Sequence, residues 1–331
     1  MSDVKNLLVL PRLRVQNANA ISSPMTWGFP AMSAFVGMMH ALERKLVAAD
    51  IPVSLDRVGV VCHDVEAQAT EGGYTRTFHL TRNPLSTYAE KKKINTDGSF
   101  TTPSFVEEGR IHLDITLIFA ITGKVAEDDR QDIAQRVREM VAGMRIAGGS
   151  VMPNRSVSAN HQQPAWVALD DNSAKREEKF NKLKRRWLPG FTLVLRDDRL
   201  AEHTGALQAQ DENATPLDAW LDLSRLNHEC HVDPESEEVR WQVRRAYRGW
   251  LVPIPVGYGA ISEHFEPGRV AKARDTQIPF RFVESIYSIG EWISPHRLKR
   301  PEDLLWYVDN DLDAGLYRLN NDYTQCAHRA E

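Results

Sequence analysis

Cysteine is scarce in this chain. Cys62, Cys230 and Cys326 are an odd number at wide spacing, which argues against a disulfide framework and for a reducing compartment. No apolar run approaches the roughly 20 residues that a bilayer-spanning helix needs. Met1 to Arg12 also lacks the long apolar centre of a secretory signal, so a cytoplasmic chain with no membrane contact is expected. There is no Walker loop. Gly257-Tyr258-Gly259 is only a fragment of a dinucleotide fingerprint, without the third glycine or the amphipathic helix that should follow, and no cofactor is expected. His228, Cys230 and His231 form one cluster in an acidic loop where zinc sites show two, so no metal is expected, even with Cys62 as a distant fourth ligand.

A basic excess is missing as well. The formal net charge is −4, whereas free nucleic-acid modules usually carry a positive one. Charge is instead segregated. Lys175 to Arg186 holds seven basic and two acidic residues, while Asp211 to Glu238 and Glu302 to Asp313 are acidic. This permits one basic face and one face for a basic protein partner, although a charge run is more commonly a solvated helix surface.

The chain has 331 residues with an ordinary apolar fraction of 42%, enough for two compact domains or one with large insertions. Leu7 to Leu10, continued by Leu13 and Val15, predicts a buried strand ending near Gln16. A polar turn follows. Asn17, Asn19, Ser22 and Ser23 supply donors and acceptors, Pro24, Gly28 and Pro30 forbid regular structure, and Trp27 and Phe29 offer flat apolar faces. Such a turn can hold an extended ligand; equally, its Asn and Ser side chains can serve only their own backbone. After Pro30, the spacing of Met32, Phe35, Met39, Leu42 and Leu46 predicts a helix to about Ala48.

Arg57 to Cys62 reads as a second strand continuing toward Glu66. From Thr70 to Pro103 the pattern resembles an inserted hairpin with a charged tip carrying Lys91, Lys92, Lys93 and the turn Asp97-Gly98. Tyr74, Arg76, Phe78 and Leu80 share one face of its first arm, which could clamp a polyanion. Ile111 to Thr122 alternates apolar and polar residues most clearly of all, predicting a strand with one buried face. Asp128 and Asp129 can cap a helix carrying Ile133, Val137, Met140, Val141 and Met144. Gly148 and Gly149 are expected to stop it, with a fourth strand starting at Val151 and Met152.

The order over residues 1–155 is thus the βαββαβ ferredoxin-like plan of RNA-recognition modules and many unrelated proteins, an α+β head with a thumb inserted around 70–105. Residues 156–331 are expected to add the basic helix and an aromatic-rich β extension that completes the head and meets a partner. RNA is suggested by company: the polar-aromatic loop, the arginine-bearing arm, and a glycine turn flanked by Arg145 and Arg155 with no acid between them. Backbone amides at such a turn approach phosphate closely, and arginines add charge-assisted bonds.

Several longer stretches carry a family. Gln16 to Pro30, Leu80 to Leu85, Met144 to Pro153, Gly249 to Tyr258 and Gly290 to Arg297 together closely resemble the second Csy proteins, the Cas-five-like subunits of type I-F CRISPR surveillance complexes. Residues 86–104, 156–178 and 196–238 carry none of these motifs. The resemblance implies a ferredoxin-like head with a protruding thumb, bound to the 5′ handle of the guide RNA. It also implies pairing with the Cas-eight-like large subunit, contact with the Cas-seven-like backbone subunit, and target DNA reached through the assembled complex. By motif position and chemistry, handle contacts are expected from Arg14, Asn17, Asn19, Ser22, Trp27, Arg145, Gly148, Gly149 and Ser150, with Arg155 beside them and with Arg76 and Arg82 on the thumb.

Some Cas-five relatives cut guide RNA, so a metal-independent endoribonuclease is the rival reading. It would need a positioned base, acid and cation. His40, His63, His79, His112, His161 and His296 are scattered, and no spacing places two of them with a nucleophile on one local element. A metabolic enzyme on the same fold would need a substrate pocket that no motif defines. Binding without catalytic residues is the expectation.

Overall fold

The computed structural model of the protein describes residues 4–73, 75–82, 105–232 and 238–324. Tyr74, the thumb tip with Lys91 to Lys93 and Asp97-Gly98, and Cys326 lie outside the described residues.

One antiparallel sheet organises the chain, with eleven strands among the described residues. They are β1 (Asn6–Asn19), β2 (Ser54–Ala67), β3 (Arg110–Thr122), β4 (Arg145–Ile146), β5 (Gly149–Met152), β6 (Ala165–Ala168), β7 (Phe191–Leu195), β8 (Trp250–Ala260), β9 (Val283–Ile293), β10 (Trp306–Asp311) and β11 (Leu316–Asn321). Among the described residues five α-helices join them: α1 (Met32–Ala48), α2 (Arg130–Ala142), α3 (Ser173–Arg185), α4 (Asp197–Gln208) and α5 (Pro216–Ser224).

The N-terminal strands lie in the order β5-β1-β3-β2, each antiparallel to its neighbour, and β6 pairs with the start of β1. Alternation sorts their side chains. Leu8, Leu10, Leu13 and Val15 of β1 and Ile115, Leu117, Phe119 and Ile121 of β3 join one core with Met32, Phe35, Met39, Leu42 and Leu46 of α1 and Ile133 and Val137 of α2. Leu7, Val9, Ile118 and Ala120 point the other way, into a second core under Phe180, Leu183 and Trp187. The basic run is therefore the outer face of a covering helix. Its inner positions are occupied: Arg176 pairs with Glu302 at 2.6 Å, and Lys184 donates to the Leu298 carbonyl at 2.6 Å.

β1 is longer than its pattern suggests. It runs to Asn19 through two bulges, at Arg12 and Asn17, both with φ of 57°. At each, the amide lost from the ladder finds a side chain on β3. Arg12 N–H donates to Thr116 Oγ1 at 3.2 Å and Asn17 N–H to His112 Nδ1 at 3.1 Å.

The C-terminal strands close on the head. The path β2-β7-β9-β8-β11-β10 returns to β2 where Trp306 pairs with Val58, making a ring of six strands. Trp306, Leu193, Ile254, Val256 and Leu319 are buried in the same core as the head. Trp306 donates its indole N–H to the Leu193 carbonyl at 2.9 Å.

Two local expectations differ from the structure. Helix α2 ends at Ala142 with Gly143 as its C-cap, so Gly148 and Gly149 do not stop it. Ala147 and Gly148, with φ of 48° and 78°, form instead the two-residue turn of the β4–β5 hairpin. Asp129 does occupy the helix N-cap, yet its side chain makes no capping bond.

Candidate nucleic-acid interface

Between β1 and α1 the chain folds into its own small hairpin, Ile21–Ser23 against Thr26–Trp27. Its polar groups largely serve one another. Ser22 and Ser23 hydroxyls both meet Thr26 Oγ1, at 2.7 and 2.6 Å, and the Asn19 amide bonds to the Ile21 carbonyl and N–H at 2.7 and 3.1 Å. Gly28 N–H then donates to the Ala20 carbonyl at 2.7 Å, closing the loop. The loop is thereby rigid, and it separates two concavities.

On one side lies a groove of about 1000 Å³. The loop contributes Asn19 and Ser22, the β4–β5 hairpin contributes Arg145, Ala147 and Gly148, and α1 contributes Ala31, Ser33, Ala34 and Gly37. Tyr258 of β8, Tyr317 of β11 and Arg274 form the opposite wall, and no acidic side chain lines it among the described residues. The N-cap residue Ala31 offers no side-chain acceptor to the first-turn amides of α1, so an uncapped positive helix end opens here. Two arginines beside a helix N-terminus suit an anion.

On the other side is an apolar cleft of about 1030 Å³, lined by Trp27, Phe29, Trp220, Trp250 and Trp292 with Arg76 at its edge. Trp27 stands at its mouth, 54% exposed, edge-on to Phe78 at 5.5 Å. Arg76 is held by Glu71 at 2.6 Å across the hairpin Ala69–Gly72/Thr75–Phe78.

The predicted residues therefore fall into groups. Asn19, Ser22, Arg145 and Gly148 meet in the groove, while Trp27 and Arg76 belong to the cleft. Arg14 and Ser150 stand on the open face of the sheet, where Ser150 pairs with both Gln16 and Arg145. Gly149 is buried, because a Cβ there would lie 2.7 Å from the Ala18 nitrogen and the Gln16 oxygen. Asn17 uses its backbone at a bulge, and Arg155 is exposed beyond β5. Arg82 ends the short strand Leu80–Arg82, which pairs with Phe105–Glu107. Sequence reasoning missed Arg274, Tyr258 and Tyr317 as groove residues; the one local signal was the glycine on each side of Tyr258.

The sheet's open face also carries a closed polar chain. Thr116 Oγ1 accepts from Arg12 N–H and donates to His63 Nε2 at 2.7 Å, and His63 Nδ1–H donates to the Pro189 carbonyl at 2.7 Å. Burial holds the His63 imidazole below its ordinary value, in keeping with a neutral ring. Burial likewise pushes the Cys62 thiol up to about 12, which leaves it an inert thiol. His112 accepts from Asn17, His161 bonds to Ser158 at 2.9 Å and His296 to Ser294 at 2.8 Å. His228 and Cys230 share one face of the hairpin Asn227–Val232/Val239–Arg244 while His231 points to the other. Among the described residues no group of three or more His, Cys, Asp or Glu is placed to hold a metal, and no helix is long and apolar enough to cross a membrane.

The sequence profile described as CRISPR-associated protein (Cas_Csy2) matches residues 8–319. The chain is also 45% identical over 330 residues to the CRISPR-associated protein Csy2 of Pseudomonas aeruginosa (strain UCBPP-PA14), covering 96% of each chain. With the match running from β1 through β11, the protein belongs to the Csy2 family of type I-F CRISPR systems.

Proposed function

We propose that the protein is a non-catalytic subunit of a type I-F CRISPR surveillance complex that caps the 5′ handle of the guide RNA. The observation that carries this reading is the acid-free groove that joins Arg145 and the Gly148 turn to the uncapped start of α1. Arginines and oriented amides hold phosphates, while the rigid loop presents polar edges to splayed bases. The strand order β5-β1-β3-β2 with α1 and α2 on one face supports treating the head as ferredoxin-like. In RNA-recognition modules the opposite sheet face stacks bases; here α3 covers its upper part, so RNA is assigned to the loop and hairpin edge instead. The Cas-eight-like large subunit and the Cas-seven-like backbone subunit are the proposed protein partners, with target DNA met through the complex in the cytoplasm.

The test is guide retention. Arg145→Ala in the full-length chain, co-expressed with the other subunits and a CRISPR array, should lower the guide RNA recovered per protein, most clearly at low salt, and make retention less steeply dependent on salt, because one electrostatic phosphate contact is lost. Unchanged retention in a well-folded variant at every salt concentration would remove Arg145 from the interface.

A further inference from the structure

The Gly257-Tyr258-Gly259 segment lies within β8, and the capping reading above does not use it. β8 and β9 shift register between Pro255 and Gly257, so β8 bulges there. Gly257 takes φ of 149°, and a Cβ on it would lie 2.0 Å from the Tyr317 carbonyl oxygen. Only glycine allows β11 to come this close. The bulge sets Tyr258 directly opposite Tyr317, with ring centroids 6.2 Å apart and planes tilted by 40°.

Tyr258 remains 40% exposed and faces the groove. Arg274, on the segment between β8 and β9, is exposed and makes no hydrogen bond or ion pair among the described residues. The acid next to it, Asp275, is turned to its own backbone, accepting from Gln277 N–H at 2.8 Å. Between this wall and Arg145 the floor is small: a Cβ added at Gly37 would meet nothing within 4 Å.

We propose that the C-terminal half supplies the second wall of the RNA groove, in which Tyr258 stacks a splayed base of the single strand and Arg274 pairs with an adjoining phosphate. This rests on the RNA-binding reading and adds to it a stacking platform that the head itself lacks on this side, since Trp27 faces the apolar cleft. An aromatic face with a cation beside it is the arrangement that holds single-stranded nucleic acid without reading its sequence.

The experiment is fluorescence anisotropy of the full-length chain with a labelled single-stranded RNA carrying the repeat-derived 5′ end of the guide, for wild type, Arg145→Ala, Tyr258→Ala, Tyr258→Leu, Tyr258→Phe and Arg274→Gln. Tyr258→Leu keeps an apolar side chain at this exposed strand position, so its fold is retained if the alanine variant's is not. Tyr258→Ala and Tyr258→Leu should each weaken binding by about five-fold or more, and Tyr258→Phe by less than about two-fold, because the ring and not the hydroxyl stacks. Arg274→Gln should reduce the slope of log affinity against log salt by about 0.7, one phosphate contact on a single strand. If wild type binds, Arg145→Ala is weak, and Tyr258→Leu and Arg274→Gln match wild type, the second wall is overturned and the RNA reading stands. If wild type shows no binding, both fall.

Discussion

Asn19 donates its backbone N–H to the carbonyl of Ala147 at 2.8 Å, tying the loop after β1 to the tip of the β4–β5 hairpin. The two elements that carry the proposed phosphate contacts are thus one rigid unit. Gly149 lets them approach, since a Cβ there would meet backbone atoms of Gln16 and Ala18 at 2.7 Å. Gly149→Ala should cost about 1–3 kcal/mol in urea unfolding, because backbone on both sides must shift. Gly148→Asn, at the open tip with φ of 78°, should stay within about 1 kcal/mol of wild type, as asparagine tolerates this conformation.

Closure of the strand ring depends on Trp306, which is almost fully buried and bonded to the Leu193 carbonyl. Trp306→Ala should destabilise by about 3–5 kcal/mol through the cavity it leaves. Trp306→Phe keeps most of the apolar volume and should lose about 1–3 kcal/mol, chiefly for the unpartnered carbonyl. Equilibrium denaturation checks both, and a Trp306→Phe variant as stable as wild type would show that the bond contributes nothing.

His63 gives a pH dependence. Its folded value lies below the ordinary 6.5, so the unfolded chain binds the proton more readily than the folded one. Its contribution is therefore fully present above 6.5 and is lost as pH falls from there toward the lowered folded value. Unfolding free energy measured from pH 8 down to 5 should fall less steeply below about 6.5 in His63→Gln than in wild type. Parallel profiles would contradict the neutral, hydrogen-bonded assignment.

Thiol labelling tests burial directly. Cys62 is buried with its thiol raised to about 12, whereas Cys230 is exposed on its hairpin. Iodoacetamide at neutral pH should modify Cys230 in the native protein and Cys62 only after denaturation, as read by peptide mass spectrometry.

Local patterns made much of the head legible. The alternation from Ile111 to Ile121 has period two, so β3 follows from its own residues, but the single buried face expected of it holds only for its first half, because Ile118 and Ala120 are buried on the other face beneath α3. The helical spacing of Met32, Phe35, Met39, Leu42 and Leu46 gave α1, and all five are buried. What escaped depends on partners distant in sequence. The bulges at Arg12 and Asn17 exist because Thr116 and His112 receive the displaced amides, and neither position carries a glycine to mark it. Gly148-Gly149 resembles a helix stop because paired glycines serve equally well in a tight hairpin, and only Gly143 upstream distinguishes the two. The pairing of Trp306 with Val58, and with it the groove wall at Tyr258 and Tyr317, follows from tertiary closure that no window of sequence contains. Loop chemistry was half legible: Asn19 and Ser22 do line the groove, yet their side chains are bonded within the loop.

The central claim is binding without turnover, and one measurement reaches it. The full-length chain is purified from cells expressing the other subunits and a CRISPR array, the retained RNA is sequenced at both ends, and the isolated protein is incubated with full-length repeat RNA in a chelator. The account predicts intact guides that share one 5′ end, and repeat RNA left uncut. Cutting at a fixed repeat position, or retained RNA with no common 5′ end, would contradict it.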